Sequence, residues 1–286
     1  MITDQGRKVA NHWSRLAVSF EGALASLRSR GVVLEHARAG DLHEVDMIHM
    51  GGVAATDALA GMAGIGAGQR VLDVGSGVGG PARRIADRFG ATVSGIELSE
   101  ALHRTSVRLT DLVGLRGSVT LVNGSALSLP FRDGEFDAVV MQHVAMQISE
   151  KDRLFGELAR VVRSGGCLAL HEIFAGGGEI HYPLPWATEP GMSSLETLDA
   201  CTERLARLGF ALSGFADGSE EGRRFHLASI ATFDEALGAG ERALGLSVEV
   251  MKARRAACAA MERNLGCGSV RVGMIVAWKI GSSVQA

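Results

Sequence analysis

The sequence is poor in aromatic residues and carries no excess of positive charge. Aromatics make up 5% of its 286 residues, with a single tyrosine, Tyr182. So few rings do not suggest the stacking platforms that grip single-stranded nucleic acid. The formal net charge is −3, and Lys and Arg are scattered, so the basic face of a nucleic-acid footprint is missing. No run without charge or glycine is long enough to predict a membrane span. The opening residues, MITDQGRKVANHW, hold no apolar signal core. The four cysteines, Cys167, Cys201, Cys258 and Cys267, form no CxxC pair, which argues against both disulfide staples and a zinc site. Together these absences predict a cytoplasmic chain with free thiols and no metal, nucleic-acid or membrane partner. They leave the oligomeric state open.

What is present is apolar and periodic. Hydrophobic residues reach 47%, enough for one large α/β domain with an ample core. Residues 8–30 read as one amphipathic helix, with Val9, Trp13, Leu16, Phe20, Leu24 and Leu27 at three- and four-residue steps. Such a stripe either packs on the main domain or covers a pocket, and the two roles are compatible. From Arg70 onward, short apolar runs alternate with helical stretches. Strands are predicted at 70–74, 92–96, 119–122, 136–142, 167–173 and 211–215, and a last one at 270–280. Helices are predicted between them, including 81–89, 100–113, 151–162 and 195–208. This alternation implies parallel βαβ units with right-handed crossovers. The expected architecture is a Rossmann-like seven-stranded sheet, mostly parallel with the last strand antiparallel. A helical lid is expected over 1–56, the main domain over 57–286, and a helical insert over about 218–268 as a cap or wall.

The segment Val71-Leu72-Asp73-Val74-Gly75-Ser76-Gly77-Val78-Gly79-Gly80 carries the strongest chemical signal. A strand runs into a glycine cluster and a helix follows, so a ligand can approach the backbone beyond the strand's carboxyl end. Gly75, Gly77 and Gly80 satisfy the dinucleotide pattern GxGxxG, and Glu97 ends the next strand, where an acid can hold ribose hydroxyls. On those residues alone an NAD enzyme stays open. Asp73 pulls the other way, because a carboxylate before the loop repels a pyrophosphate and favours a cation.

Asp73, Gly75, Gly77 and Gly79 also meet the pattern D/E-x-G-x-G-x-G, and three further segments follow in order: Asn123–Phe131, Phe131–Val139 and Leu158–Gly166. On this ordered set, clear over about residues 57–173, the chain resembles the class I methyltransferases that use S-adenosylmethionine (SAM). The resemblance implies SAM as methyl donor and S-adenosylhomocysteine as product. It implies that Gly75, Gly77 and Gly79 form the cofactor loop, that Asp73 favours the ammonium, and that Glu97 accepts from the ribose hydroxyls. Leu98 would pack on adenine, with Ser125 and Ala126 on its far side. The family usually has Asp at the position of Ser125, so adenine recognition is expected to lean on backbone groups there.

Methyl transfer needs a close, aligned nucleophile in a dry pocket, and a general base only if the nucleophile arrives protonated. Gln142–Gln147 and the segments after the fifth strand, including His181-Tyr182-Pro183-Leu184-Pro185-Trp186-Ala187, resemble the small-molecule subgroup that includes sarcosine/dimethylglycine and natural-product methyltransferases. So does the lead-in Asp46–Gly52. Gln142 is expected at the cofactor, and His143 and His181 are the candidate catalytic groups. Trp13, Phe20, Met146, Tyr182 and Trp186 are the candidate acceptor contacts. His171 reads as a core histidine with Glu172 pointing the other way, and His49 as a residue that caps or positions a helix. The alternative is a SAM-binding protein of the same fold with a non-methylating, cyclase-type reaction, since fold does not fix function.

Overall fold

Strands that are apolar along their whole length must be covered on both faces, and the sheet is built that way. The computed structural model describes residues 4–240 and 246–281, so residues 241–245 of the expected insert lie outside the described residues. The N-terminal part contains α1 (Asp4–Leu16), α2 (Phe20–Ser29), α3 (His43–Asp46) and α4 (Gly52–Met62). Then follow β1 (Arg70–Val74), α5 (Gly80–Phe89), β2 (Thr92–Glu97), α6 (Glu100–Leu112), β3 (Val119–Asn123) and β4 (Phe136–Gln142). The rest is α7 (Lys151–Val161), β5 (Val162–Ala175), α8 (Leu198–Arg207), β6 (Phe210–Asp217), α9 (Ser219–Ala239), α10 (Val248–Cys267) and β7 (Val270–Lys279).

The seven strands lie in the order β3-β2-β1-β4-β5-β7-β6. β1 to β5 pair in parallel, and β7 runs antiparallel between β5 and β6. The chain winds outward from β1 to β3 and then returns to β4 on the other side. The crevice between the carboxyl ends of β1 and β4 is therefore the switch point where this kind of sheet binds ligands.

Alternate side chains fill the two faces. Leu72, Val74, Val139, Met141, Leu168 and Leu170 pack with Leu154 and Leu158 of α7 and Leu205 of α8. Val71, Val93, Ala138, Val140 and Ala169 pack with Leu59 of α4 and Ile85 of α5. A fully buried Leu or Val here is worth about 1.5–3 kcal/mol relative to an exposed one. Local chemistry sets the helix starts: the side chains of Ser99, Thr197 and Ser247 accept from backbone N–H groups in the first turns of α6, α8 and α10.

Two expectations need correction. The single helix over 8–30 is two helices, because the Ser19 hydroxyl accepts from Gly22 N (3.1 Å) and restarts the chain as α2. The domain boundary expected after residue 56 falls inside α4, whose Thr56 and Leu59 are buried against the main domain. The described residues of the 218–268 stretch hold α9 and α10, which pack along one another.

Candidate functional site

The glycine loop is held by the neighbouring strand: the backbone N–H groups of Gly75 and Ser76 both donate to the Ile96 carbonyl (2.9 and 3.0 Å). Gly75 has φ +71, and a Cβ there would sit 2.4 Å from Val144 Cγ2, so no side chain is tolerated. Glu97 closes the loop from β2. Its Oε2 accepts from Gly77 N (3.0 Å) and its Oε1 from Ser99 N (2.7 Å). Burial raises its pKa, while backbone hydrogen bonds from Ser99, Gly77 and Leu98 oppose that rise. Each carboxylate oxygen keeps a further lone pair for a hydroxyl donor.

Asp73 is buried, and its Oδ2 has no hydrogen-bond partner. Burial, and then the nearby Glu97 carboxylate, push its pKa up to about 7. A cation placed here would hold it charged. The same cavity is walled by Gly77, Leu98, Ser125, Ala126 and Gln142, so these expected cofactor residues come together, and the catalytic candidate His143 lies on it too. Ser125 Oγ accepts from Leu127 N (3.2 Å) and thus braces its own turn. Gly79 is a correction. It caps α5 in the left-handed region behind the cavity, where a Cβ would meet Arg83 Nη1 at 2.6 Å. Its absent side chain makes room for Arg83, not for a ligand.

Three histidines gather at the ends of β4 and β5. The His143 ring lies 4.4 Å from that of His171 and 6.3 Å from that of His49. His143 has φ 55, a left-handed conformation costing a bulky residue about 1–3 kcal/mol. Its backbone N–H donates to the His171 carbonyl (2.8 Å). Both of its ring nitrogens are buried without partners. Burial, then His171, His49 and His226, hold its pKa well below the ordinary imidazole value. Burial likewise takes His49 to about 4 and His171 to about 3. His49 Nε2 is 3.0 Å from both Thr56 Oγ1 and the Gly52 carbonyl, and Thr56 lies 3.3 Å from the Gln142 amide nitrogen. His49 thus both positions α4 and walls the cofactor cavity. As expected, Glu172 points away from His171, and it accepts from Val144 N and Ala145 N (3.0 and 3.1 Å). Among the described residues, no three His, Cys, Asp or Glu side chains are grouped as metal ligands.

A second cavity of about 830 Å³ lies between α1, the 183–188 loop, α9 and α10. Trp13 and Ile48 wall both cavities. The Trp13 indole donates to Gln147 Oε1, while Gln5 donates to Ser194 Oγ (2.9 Å) and His12 meets the Pro185 carbonyl (2.9 Å). Several expected contacts are not at either cavity. Phe20 stacks on Arg108, whose guanidinium carbon is 3.7 Å from the ring centroid. Met146 and Trp186 are buried in one apolar cluster, where the Trp186 indole donates to Ser193 Oγ (3.1 Å) and braces the loop from behind. Tyr182 packs on the same cluster. His181 is held through its backbone by Asn264 and lines neither cavity. The loop's Pro183, Leu184 and Pro185 supply the wall instead.

Sequence reasoning missed Arg83, which reads as a surface residue of an amphipathic helix. It is 1% exposed and pairs with the equally buried Asp46 at 2.9 Å, also donating to the Val78 carbonyl (2.7 Å). It thereby ties the 43–46 segment to the glycine loop. His226 was missed as well: it is buried on α9 in the wall of the larger cavity, with both ring nitrogens unpartnered. An apolar helix face carries no signal that one histidine in it faces a void.

A switch-point crevice with a glycine loop, a strand-end acid over that loop and an orphan carboxylate for a cation defines a nucleoside-type cofactor site suited to a sulfonium. Comparisons with known proteins agree. The pattern of a methyltransferase domain matches residues 72–170. The chain is 30% identical over 198 residues to the methyltransferase GfsG of Streptomyces halstedii, covering 68% of this chain and 71% of that protein. Among solved structures, the [4+2]-cyclase SpnF is 26% identical with TM-score 0.65, covering 80% of this chain and 82% of its own. Geranyl diphosphate C-methyltransferase from Streptomyces coelicolor A3(2), solved with S-adenosylhomocysteine, has TM-score 0.68 at 18% identity, covering 97% and 98%. At that identity the likeness speaks for the fold alone. The chain belongs to the SAM-dependent methyltransferases. It transfers a methyl group from SAM; the cyclase-type alternative is the weaker reading, and NAD is set aside. No helix among the described residues is long and apolar enough to cross a membrane.

Proposed function

We propose that the acceptor is a natural-product type of metabolite with a largely apolar body. It enters the larger cavity and presents its nucleophile at His143. The carrying observation is the His143 ring, neutral and unpartnered, on the cofactor cavity beside the Trp13 and Ile48 partition. When bound, SAM supplies an electrophilic methyl on a sulfonium. Asp73 holds the positive end of the cofactor and Glu97 its ribose, with Gly75 and Gly77 giving backbone access. Leu98, Ser125, Ala126 and Gln142 form the remaining wall.

His143 orients the acceptor. A ring held so far below its ordinary pKa is a weak base, but one nitrogen of a neutral imidazole accepts a hydrogen bond from an O–H or N–H nucleophile. Rate then comes from alignment in a water-poor pocket. Helix α1, at the start of the expected 1–56 lid, acts as the lid, supported by its position across both cavities. Labelled SAM incubated with a panel of metabolites, reading S-adenosylhomocysteine release and methylated product, tests the reading. Methyl transfer to an apolar metabolite that is lost in His143→Ala supports it. Turnover restricted to small polar amines would overturn it.

A further inference from the structure

The wall of the larger cavity contributed by α9 and α10 is not uniformly apolar. Arg254, half-buried on α10, lines it together with His226 and Ser229, one turn apart on α9. Among the described residues, no carboxylate lies within ion-pairing reach of Arg254. The one carboxylate on the cavity wall, Glu44, is turned to Arg30 at 3.4 Å. Arg254 donates to the Leu16 carbonyl at the C-terminal end of α1. That bond uses one donor of a guanidinium that has several, and a helix terminus carries only a fractional negative charge. A full cation facing an apolar cavity without a counter-ion is unfavourable unless a ligand provides one. Burial lowers the Arg254 pKa, the sign expected for an uncompensated cation.

We propose that the acceptor carries, beside its apolar body, one anionic group, a carboxylate or a phosphate, that pairs with the Arg254 guanidinium. Arg fits this role because its planar fork meets either oxyanion through two parallel hydrogen bonds. His226, held neutral by burial at a pKa of about 4, offers an uncharged N–H on the same wall. The anion fixes the far end of the acceptor on the α9–α10 wall, and the nucleophile is directed across the partition toward His143. This assignment rests on the reading of the larger cavity as the acceptor chamber.

Calorimetry with S-adenosylhomocysteine present, using decanoate, decyl phosphate and 1-decanol as probes, tests it. The parent protein should bind at least one of the two anions about tenfold or more tightly than 1-decanol. Arg254→Met keeps much of the apolar stem. It should abolish that preference and leave 1-decanol affinity within about twofold, and Arg254→Lys should retain part of the preference. A parent that binds anions no better than the alcohol overturns the proposal. So does an Arg254→Met variant that weakens all three probes equally, since the guanidinium then serves only to hold α1. Whether decanoate or decyl phosphate is preferred separates the two oxyanions. Binding of S-adenosylhomocysteine, titrated first in the same samples, reports separately on the methyltransferase reading, so the two failures are distinguishable.

Discussion

The two halves of the crevice are built by different means. On the β1–β2 side the ligand groups come from short contiguous stretches: a glycine loop fixed by Ile96, and one carboxylate, Glu97, pinned by Gly77 and Ser99. On the other side the chamber is assembled from α1, the 183–188 loop, α9 and α10, elements spread over more than two hundred residues of the chain. Backbone geometry dictates the first half, whereas tertiary packing decides which side chains face the second. A substitution on the cofactor side should therefore change cofactor affinity alone. One on the acceptor side should change turnover or acceptor affinity alone.

The largest effect is expected at Glu97. Glu97→Ala removes two hydrogen bonds to the cofactor worth about 1.5–3 kcal/mol each, so SAM affinity should fall by about a hundredfold or more in calorimetry while the fold persists. An unchanged affinity would take Glu97 out of the site and break the comparison at its strongest point. Next comes His143. His143→Ala should lower turnover by about tenfold to a hundredfold, with SAM affinity within about threefold. His143→Gly should lose turnover equally, yet be about 1 kcal/mol more stable than His143→Ala in denaturant titration, because glycine adopts φ 55 without strain. Equal stability would show that the backbone there is not strained.

A smaller effect concerns pH. The Asp73 pKa of about 7 in the free protein lies above its ordinary value. A bound cation favours the ionised carboxylate, so binding expels a proton where Asp73 is still protonated. SAM affinity should rise between pH 6 and 8, and Asp73→Asn should flatten that part of the rise. An identical pH slope in the variant would remove Asp73 from cofactor binding. The same raised pKa favours folding below it, and that contribution is lost as pH climbs through 7. The smallest effect is expected at Phe20. Phe20→Ala should lower Tm by a few degrees, through loss of its stack on Arg108, while turnover stays within about twofold.

The contrast also explains what could be read without coordinates. Asp73, Gly75, Gly77 and Glu97 are legible because strand, turn and strand end follow one another along the chain, and sheet geometry does the rest. The seven strands were legible for the same reason of period. Phe20 and Trp186 were misplaced because a helical stripe or an aromatic in a loop shows that a residue is covered, not by what. Arg83 and Arg254 were illegible because each needs two remote segments to meet before its charge is enclosed. Gly79 looked like the third cofactor glycine, but the volume it leaves open is filled by Arg83.

Helix α1 has no fully buried residue and is fastened by polar contacts from Gln5, His12 and Trp13. Because Trp13 walls both chambers, this one segment is their partition and, as the lid proposed above, would be their shared door. Lifting it would break these hydrogen bonds, with those of Ser14 to Ser99 and of Arg254 to the Leu16 carbonyl, would pull Trp13 off the apolar clusters it packs on, and would expose both compartments at once. Traffic through them would then be coupled: departure of the spent cofactor and arrival of the next acceptor would draw on the same opening. On that proposal the order of ligand exchange would be a property of one short helix, not of either binding site.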